Sequence, residues 1–578
     1  MPKILAIDLG ASSGRVVRVA WGASVVLEEL HRFDNRPKTV DGTLVWDVRS
    51  LFDNIRIGLQ KAAIDGFDAI GLDTWGVDFA LVDEQNQPLA PPAHYRDVRH
   101  ETAVAGVHKT VSQAELYAKT GIQFLPFNSV YQLAWLVEHQ PELTARAHRL
   151  LFVSDLLCAW LTGVACSEPT MASTSGLLDC STKNWDFDLC KKLGIPNHIL
   201  PDLVPNGGVR GTLLPDFTRD FACSSTTAAV ALGTHSAAPV ANAPSPIPVI
   251  AVGGHDTASA VAGCPGTPPF VYLSCGTWSL MGTEQAAPCL EDAFFTNETG
   301  VYGTTRLLKN IMGMWLIQEI RRQWQQQGRR IGFDEMSRMA SEAATDALID
   351  PDAPDFAKPC DMPAQIRAYL ARTNQPQPQN DGELLRVVYQ SCAMKYADTL
   401  ARLCSLNGWI APRVETTAVL SQVDAVNAAI LAPSSDAVPG TGFLQAHAPA
   451  AADAGPSQAG AMPTAVILSP PSDAVPTADF SRATAPVAIH LVGGGAQNAL
   501  LCQLTADFCG TPVHAGPVEA TVLGNAAVTA VALGAEPDLA AARVRIAQSF
   551  PPIIYAPRRV ENWQTLRAQY ARLIASPL

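Results

Sequence analysis

The stretch ILAIDLGASSGRVVRV, residues 4–19, is the strongest indication of the fold in the first half of the chain. Its apolar start predicts a buried strand that ends at Asp8, and the β-branched residues after Gly14 predict a second strand. Only small residues lie between them, so successive backbone N–H groups can converge on an anion. Arg15 adds a guanidinium suited to phosphate oxygens, and Asp8 is placed to hold a divalent cation. This strand, turn and strand predict a site for the phosphates of a nucleotide.

Two other interpretations of this turn are open. Gly and Ser are common turn residues, so the segment is also typical of an ordinary tight hairpin. Residues 10–14 satisfy G-x-S-x-G as well, the signature of a hydrolase nucleophile elbow with Ser12 as the nucleophile. An elbow requires a strand-to-helix turn, whereas the β-branched residues after Gly14 predict a strand. We therefore favour the phosphate-binding hairpin over the elbow.

Composition limits the class of protein. A chain of 578 residues exceeds what one hydrophobic core usually supports, which predicts at least two domains. The net charge of −13 argues against a nucleic-acid partner. The chain has no apolar run long enough to span a membrane, and its 13 cysteines form no C-x-x-C pair. These features predict a cytoplasmic protein with reduced thiols, and they leave its oligomeric state open, with a monomer plausible.

The chain contains an internal repeat of the pattern strand, turn and strand. A second strand, predicted at 69–72, carries the polar residues 73–78 at its end. Residues 270–282, FVYLSCGTWSLMG, repeat the order of strand, small-residue turn and strand that residues 4–19 show. We therefore predict an α/β protein of two related halves, residues 1–245 and 246–578, each of which presents a hairpin turn to one shared cleft.

Two stretches differ in composition from the rest. Residues 222–245 and 413–486 are rich in Ala, Pro, Ser or Thr and have no clear periodicity, so we interpret them as a loop and a surface insertion. A strand at 487–492, three glycines at 493–495 and a helix at 498–508 follow the second stretch. The tail from residue 543 is predicted to be helical apart from a break at 551.

Asp256 is the candidate catalytic residue. It lies in GGHDT, residues 253–257, between an apolar strand predicted at 247–252 and a helix of small residues at 258–262. An Asp at this position can simply cap the helix. It can also accept the proton of a sugar hydroxyl, since the loose transition state of phosphoryl transfer requires only an ordinary carboxylate. The two glycines before His255 predict a loosely held backbone at this point.

Together these segments resemble the FGGY carbohydrate kinases, which share an actin-like, ribonuclease-H-like fold of two domains with a cleft between them. The matching segments occur in family order, and the stretches 222–245 and 413–486 look like additions. The segments are AIDLGASSGR (6–15), GLDTWGVDF (71–79), GIQFLPFN (121–128), GHDTASAV (254–261), YLSCGTWSLMG (272–282), LKNIMGMWLIQ (308–318), LVGGGAQNALLCQL (491–504) and GPVEATVLGN (516–525).

The resemblance implies transfer of the γ-phosphoryl group of ATP, with Mg²⁺, to a ketose, and the likeness is strongest to members that act on the 1-hydroxyl of L-rhamnulose. It implies that Asp256 is the proton acceptor and that Asp8 holds the metal. The implied sugar contacts are Gly76, His255, Asp256, Thr257 and Asn310. The implied nucleotide contacts are Ala11, Ser12, Ser13, Gly14, Arg15, Thr277, Gln318 and Gly494. A kinase for another ketose, such as L-fuculose or L-xylulose, and a non-catalytic sugar or nucleotide sensor remain as alternatives.

Overall fold

A computed structural model of the chain describes residues 1–217, 246–358, 360–412, 488–560 and 562–575. The stretches interpreted as a loop at 222–245 and an insertion at 413–486 lie outside the described residues. No helix among the described residues is long and apolar enough to cross a membrane.

The described strands form two large sheets and two small ribbons. They are β1 (Lys3–Leu9), β2 (Ser13–Trp21), β3 (Val25–Asp34), β4 (Lys38–Val40), β5 (Thr43–Val45), β6 (Ala69–Thr74), β7 (Phe79–Val82), β8 (Arg149–Phe152), β9 (Val209–Thr212), β10 (Pro248–Ile250), β11 (Val271–Cys275), β12 (Ser279–Gln285), β13 (Thr296–Thr299), β14 (Thr305–Ile311), β15 (Ile489–Val492), β16 (Val513–Ala515) and β17 (Ile553–Tyr555).

The described α-helices cover the sheets on both sides. They are α1 (Val48–Ala63), α2 (Arg99–Thr110), α3 (Gln113–Thr120), α4 (Ser129–His139), α5 (Pro141–Arg146), α6 (Val153–Thr162), α7 (Pro169–Ser173), α8 (Phe187–Lys192), α9 (Asp256–Ala262), α10 (Trp315–Gln326), α11 (Phe333–Ser341), α12 (Met362–Arg372), α13 (Asp381–Leu406), α14 (Ala499–Cys509), α15 (Ala520–Ala532), α16 (Leu539–Ser549) and α17 (Trp563–Ala575).

The first large sheet has the order β3-β2-β1-β6-β10-β9. Its centre is β1, which pairs antiparallel with β2 and parallel with β6. Successive residues of β1 are buried on opposite faces: Leu5 and Ile7 pack in one core cluster with α1, and Ile4 and Ala6 pack in another with α15. Because both faces are covered, the strand is continuously apolar rather than alternating.

The second large sheet repeats this plan in the order β13-β14-β12-β11-β15-β16-β17. Its central strand, β11, again pairs antiparallel with the strand that follows the turn, β12, and parallel with β15. The predicted repeat of strand, turn and strand in the two halves is therefore confirmed by the pairing of the strands. The predicted helical tail is partly wrong, since residues 553–555 form the edge strand β17 between two helices.

The strand predicted at 247–252 lies in the first sheet as β10, parallel to β6, and does not open the second half as we expected. The helix after it, α9, then packs against the second sheet, where Ala260 and Val261 share a core cluster with Tyr272 of β11. From this pairing we propose a boundary between the halves after α9 rather than after residue 245.

Helices α9 and α15 pack against each other between the two sheets, with backbone nearly touching backbone. A Cβ atom added at Gly524 of α15 would lie less than 3.0 Å from the carbonyl oxygen of Ser259 in α9, and one added at Gly263 would meet that of Ala520. Glycine is required here because no side chain fits between the helices. Helix α15 also packs on β1 through Leu523, so this contact joins the two sheets.

Replacing Gly524 with Ala should force the two helices apart. We expect Gly524→Ala to destabilise the protein by about 1–3 kcal/mol, because the neighbouring atoms are backbone and cannot move aside. The measurement is the apparent melting temperature. The matched control is Gly106→Ala in α2, where the nearest atom to an added Cβ is the Glu138 carboxylate at 3.9 Å. An equal effect of the two substitutions would contradict the packing argument.

Candidate active site

A cavity of about 750 Å³ lies between the two sheets, at the carboxyl ends of their central strands. Gly10, Ala11 and Ser12, which follow β1, form part of one wall, and Gly276 and Thr277, which follow β11, form part of another. In α/β sheets this edge is where ligands usually bind. The two hairpin turns therefore face one cleft, as the sequence predicts.

The first turn is a hairpin held in place by three hydrogen bonds. Gly10 N–H donates to the carbonyl of Ser13 at 2.8 Å, while the backbone and side-chain N–H groups of Asn35 donate to the carbonyls of Ser12 and Gly10 at 3.0 and 2.9 Å. The turn joins two antiparallel strands and does not lead into a helix. It therefore lacks the geometry of a nucleophile elbow around Ser12.

Most residues predicted to bind sugar or nucleotide lie on the cavity wall. They are Ala11, Ser12, Arg15, Gly76, His255, Asp256, Thr257, Thr277, Asn310, Gln318 and Gly494. Gly14 instead lies in β2, where an added Cβ would collide with the ring of Phe33. Ser13 lies at the start of the same strand, and the phosphate contacts predicted for these two residues stay predictions.

Asp256 is the first residue of α9, one position inside the helix, and His255 occupies the cap position. Asp256 is therefore not the capping residue of this helix. About 31% of its side chain is exposed. Thr257 Oγ1 donates to its Oδ1 at 3.1 Å. Burial raises the pKa of Asp256, and the nearby Asp8 carboxylate raises it further.

The backbone before Asp256 is held rather than loose, so our expectation from the two glycines was wrong. Gly254 N–H donates to the buried carboxylate of Glu168 at 3.1 Å, and Gly254 C=O accepts from Thr74 N–H at 2.8 Å. An added Cβ at Gly253 would come within 2.7 Å of the Ser259 nitrogen. The glycines therefore allow close packing of this loop.

Carboxylates from two neighbouring strands meet where β1 leads into the first hairpin turn, and neither is among the residues that line the cavity. Asp8 and Asp73 are register partners at the ends of β1 and β6. Burial and the charge of Asp8 raise the pKa of Asp73 well above its ordinary value. Asn525 Nδ2 donates to Asp73 Oδ2 at 2.6 Å, whereas Oδ1 has no hydrogen-bond partner among the described residues. The sequence showed that polar residues follow this strand, but it did not show that Asp73 lies beside Asp8 and accepts a hydrogen bond from Asn525.

Arg15 connects this carboxylate group to the second half of the chain. Its Nε and Nη2 donate to Oδ2 of Asp8 at 2.9 and 2.7 Å, which leaves Oδ1 of that carboxylate for another ligand. Its Nη1 forms an ion pair with Glu519, the residue just before α15. The guanidinium therefore reaches the cavity wall already oriented by two carboxylates.

The loop that carries Gly76 is organised around a buried carboxylate, Asp78. Its Oδ2 accepts from Trp46 Nε1, Trp75 Nε1 and the Tyr95 backbone at 2.6, 3.0 and 3.2 Å, and Oδ1 accepts from Gln132 Nε2 at 3.0 Å. Burial raises the pKa of Asp78 to about 7. The sequence segment TWGVDF drew attention to this loop, but not to the buried carboxylate that supports it.

Helices α10 and α11 and the residue before α14 also contribute to the cavity wall. Gln318 Nε2 lies 3.4 Å from Thr277 Oγ1, which brings two predicted nucleotide contacts together. Phe333, Asp334 and Asn498 also line the cavity and were not predicted. Phe333 is 43% exposed, although Arg321 covers its ring at 4.5 Å. An exposed aromatic at a helix start is the signal that sequence reasoning missed.

Comparison with protein families identifies the chain. Residues 3–263 match the FGGY family of carbohydrate kinases, N-terminal domain, and residues 271–533 match the C-terminal domain of the same family. The chain belongs to the FGGY family of carbohydrate kinases. It is therefore a sugar kinase, an enzyme that uses ATP as the phosphate donor to a sugar.

Two curated relatives are similar over nearly their whole length. A rhamnulokinase of Enterococcus faecalis is 35% identical over 577 residues, which cover 98% of this chain and 96% of the relative. A rhamnulokinase of Bacteroides thetaiotaomicron is 34% identical over 571 residues, which cover 96% of each chain. The sugar kinase assignment is thus supported along the whole chain.

Solved structures show the same fold at lower identity. The ligand-bound xylulose kinase of Lactobacillus acidophilus superposes with a TM-score of 0.69 at 15% identity, covering 100% of this chain and 98% of that one. The glycerol kinase of Plasmodium falciparum with ADP gives 0.67 at 15% identity, with coverages of 100% and 98%. The predicted two-domain, actin-like fold is confirmed.

The buried carboxylate of Asp78 makes stability depend on pH. Its folded pKa of about 7 lies above the ordinary value of 3.8, so the folded state holds a proton that the unfolded state has lost between these values. Its contribution to stability is therefore present below about pH 4 and is lost as the pH rises toward 7. The substitution Asp78→Asn removes this titration. The amide oxygen of the new Asn can still accept hydrogen bonds from Trp46 and Trp75.

We expect the melting temperature of the Asp78→Asn variant, relative to the unsubstituted protein, to rise steadily as the pH increases from 5 to 7.5. Thermal unfolding of both proteins in matched buffers measures this difference. Asp188→Asn, at an exposed position of α8, serves as the control and should show no trend. A difference for Asp78→Asn that is constant with pH would show that this carboxylate does not titrate as we infer.

Proposed function

We propose that this sugar kinase transfers the γ-phosphoryl group of ATP to the 1-hydroxyl of L-rhamnulose, with Mg²⁺. The observation that carries the reaction is the position of Asp256, which faces a cleft bordered by both hairpin turns. The preference for L-rhamnulose is supported by the 35% and 34% identities to rhamnulokinases over nearly the whole chain.

In this proposal the sugar and the triphosphate enter the cleft from opposite ends. His255, Thr257, Gly76 and Asn310 surround the sugar, and Asp256 accepts the proton of the hydroxyl that attacks the γ-phosphorus. Because the transition state is loose, this proton leaves late, and the carboxylate chiefly aligns the hydroxyl. Its raised pKa makes Asp256 a stronger base than an exposed carboxylate, while nearly a third of the side chain remains accessible to the substrate.

The first hairpin would receive the β- and γ-phosphates through its backbone N–H groups, with Arg15 beside it and Thr277 on the other side. Gln318 and Gly494 would line the nucleotide, with Phe333 available as an aromatic face for the base. Closure of the two halves would exclude water, which would otherwise accept the phosphoryl group.

The residues present fit a magnesium ion held mainly by phosphate oxygens and water. No group of three or more His, Cys, Asp or Glu side chains with metal-binding geometry occurs in the described ranges. Mg²⁺ in kinases is usually held by one or two carboxylates and by the substrate phosphates. Asp8, whose Oδ1 is not used by Arg15, would supply such a carboxylate. When bound, the ion neutralises charge that develops on the phosphate oxygens.

A panel of ketoses tests the choice of substrate. We expect ADP release, followed in a coupled spectrophotometric assay, to show the highest kcat/KM with L-rhamnulose and lower values with L-fuculose and L-xylulose. Discrimination among them follows because a buried polar group left without its hydroxyl partner weakens binding strongly. A clear preference for another ketose would replace the proposed substrate, and absence of ADP release with all three ketoses would show that the enzyme acts on a different sugar.

Asp256→Asn tests the proton acceptor. We expect kcat to fall by about 10²–10⁴-fold, the usual contribution of a positioned acid or base, while ATP binding measured by calorimetry changes little. Asp188→Asn, an exposed carboxylate change in α8, should leave kcat unaltered. An Asp256→Asn enzyme that keeps its rate would show that Asp256 is not the acceptor.

A further inference from the structure

Glu168 is a fully buried carboxylate behind the loop that leads to Asp256. It occupies the cap position of the short helix α7. Its Oε2 accepts from Thr170 N–H at 2.8 Å, and its Oε1 accepts from Met171 N–H and from Thr170 Oγ1, both at 2.6 Å. These three bonds by themselves describe an ordinary helix cap.

Two further donors reach the same carboxylate from distant parts of the chain. Asn206 Nδ2 donates to its Oε2 at 2.8 Å, and Gly254 N–H donates to its Oε1 at 3.1 Å. The residues that usually cap helices have shorter side chains, namely Ser, Thr, Asp and Asn. Glutamate is one methylene longer than aspartate, and this length lets Glu168 contact both α7 and Gly254. The carboxylate therefore joins α7 to the loop before Asp256.

The direction of the Asp256 side chain depends on how this loop is held. His255 N–H donates to Thr170 Oγ1 at 3.4 Å, so one hydroxyl contacts both Glu168 and the loop. The Asp256 carboxylate accepts from Thr257 Oγ1, which belongs to the adjacent residue and moves with it. The backbone before α9 therefore determines where Asp256 points in the cleft.

We propose that Glu168 is a positioning residue, which holds the backbone at Gly254 and so directs the Asp256 carboxylate toward the hydroxyl that attacks the phosphorus. Glu168 does not touch the substrate, because it is fully buried and does not line the cavity. Placement of the acceptor matters, since a shift of about 1 Å can cost on the order of 10²-fold in rate. This inference rests on the proposed kinase reaction and deepens it by adding the residue that places its acceptor.

The substitution Glu168→Asp separates the two roles of this side chain. Aspartate is a preferred cap residue, so α7 keeps its cap, but the shorter side chain withdraws from Gly254. We expect kcat, measured with the ketose that the panel shows to be preferred, to fall about ten-fold, the effect of roughly one lost hydrogen bond. ATP binding measured by calorimetry should change little, because none of the hydrogen-bond partners of Glu168 is a predicted nucleotide contact.

A double-mutant cycle with Asp256→Asn tests whether Glu168 acts through Asp256. If it does, Glu168→Asp should lower kcat by no more than about two-fold in the Asp256→Asn background, because the carboxylate that it places is already absent. An equal fall in both backgrounds would indicate a merely structural role and overturn the proposal, and so would a Glu168→Asp enzyme with full kcat. If Asp256→Asn alone keeps its rate, the proposed role of Asp256 fails first, and this inference falls with it.

The matched control is Asp186→Asn, since Asp186 is a buried carboxylate that caps another short helix, α8. It accepts from Leu189 N–H at 2.8 Å and from Lys119 Nζ at 2.7 Å, and none of these three residues lines the cavity. We expect this substitution to leave kcat unchanged in either background. An equal fall in kcat for the two cap substitutions would overturn the proposal.

A second variant covers the case in which the Glu168→Asp protein does not fold. Thr170→Val removes the hydroxyl that contacts both Glu168 and the His255 N–H group, and it keeps a similar side-chain shape. The same cycle then applies. A fall in kcat that disappears in the Asp256→Asn background supports the proposal, and an additive fall, or none, overturns it.

Discussion

Helices α9 and α15 lie between the two sheets with the backbone of one almost touching the backbone of the other. Helix α9 begins at Asp256, and α15 begins just after Glu519, so the two helices start at the cavity and cross where Gly524 meets Ser259. Each helix follows strands of one sheet and packs on the other. The helix crossing therefore sets the distance between the sheets and, with it, the width of the cleft.

The same helices organise the charge of the site. Asp8 lies near enough to Asp73 and to Asp256 to raise the pKa of each, and Arg15 offsets part of this effect at Asp73. Asn525 of α15 supports the arrangement by donating to Asp73, close to where β6 has Gly71 instead of a larger residue. A group of carboxylates under mutual repulsion is a poor structural element but a suitable place for a cation and its phosphates.

The sequence predicted those parts of the site that rest on local pattern. The two hairpins, the Asp at the start of α9 and the apolar central strands each have a signature within about ten residues. The pairing of β10 with the first sheet, the edge strand β17, and the contacts of Glu298 with His255 all depend on residues far apart in the chain. Asp78 lies within the segment TWGVDF. Only the fold shows that its carboxylate accepts hydrogen bonds from Trp46 and Gln132 as well as from its own loop.

There is a physical reason why the phosphate-binding turns could be predicted from the sequence and the sugar contacts could not. A phosphate group can be held by backbone N–H groups, so its site needs small residues in a row, and such a row is visible in one segment. A sugar is recognised by side chains that converge from several elements, because each hydroxyl needs a partner in its own direction. His255 illustrates this: its own segment gives its position, but β13 and β14 supply the groups that orient its ring. The contacts of His255 therefore depend on how the two sheets meet, and the segment around Asp256 determines only part of them.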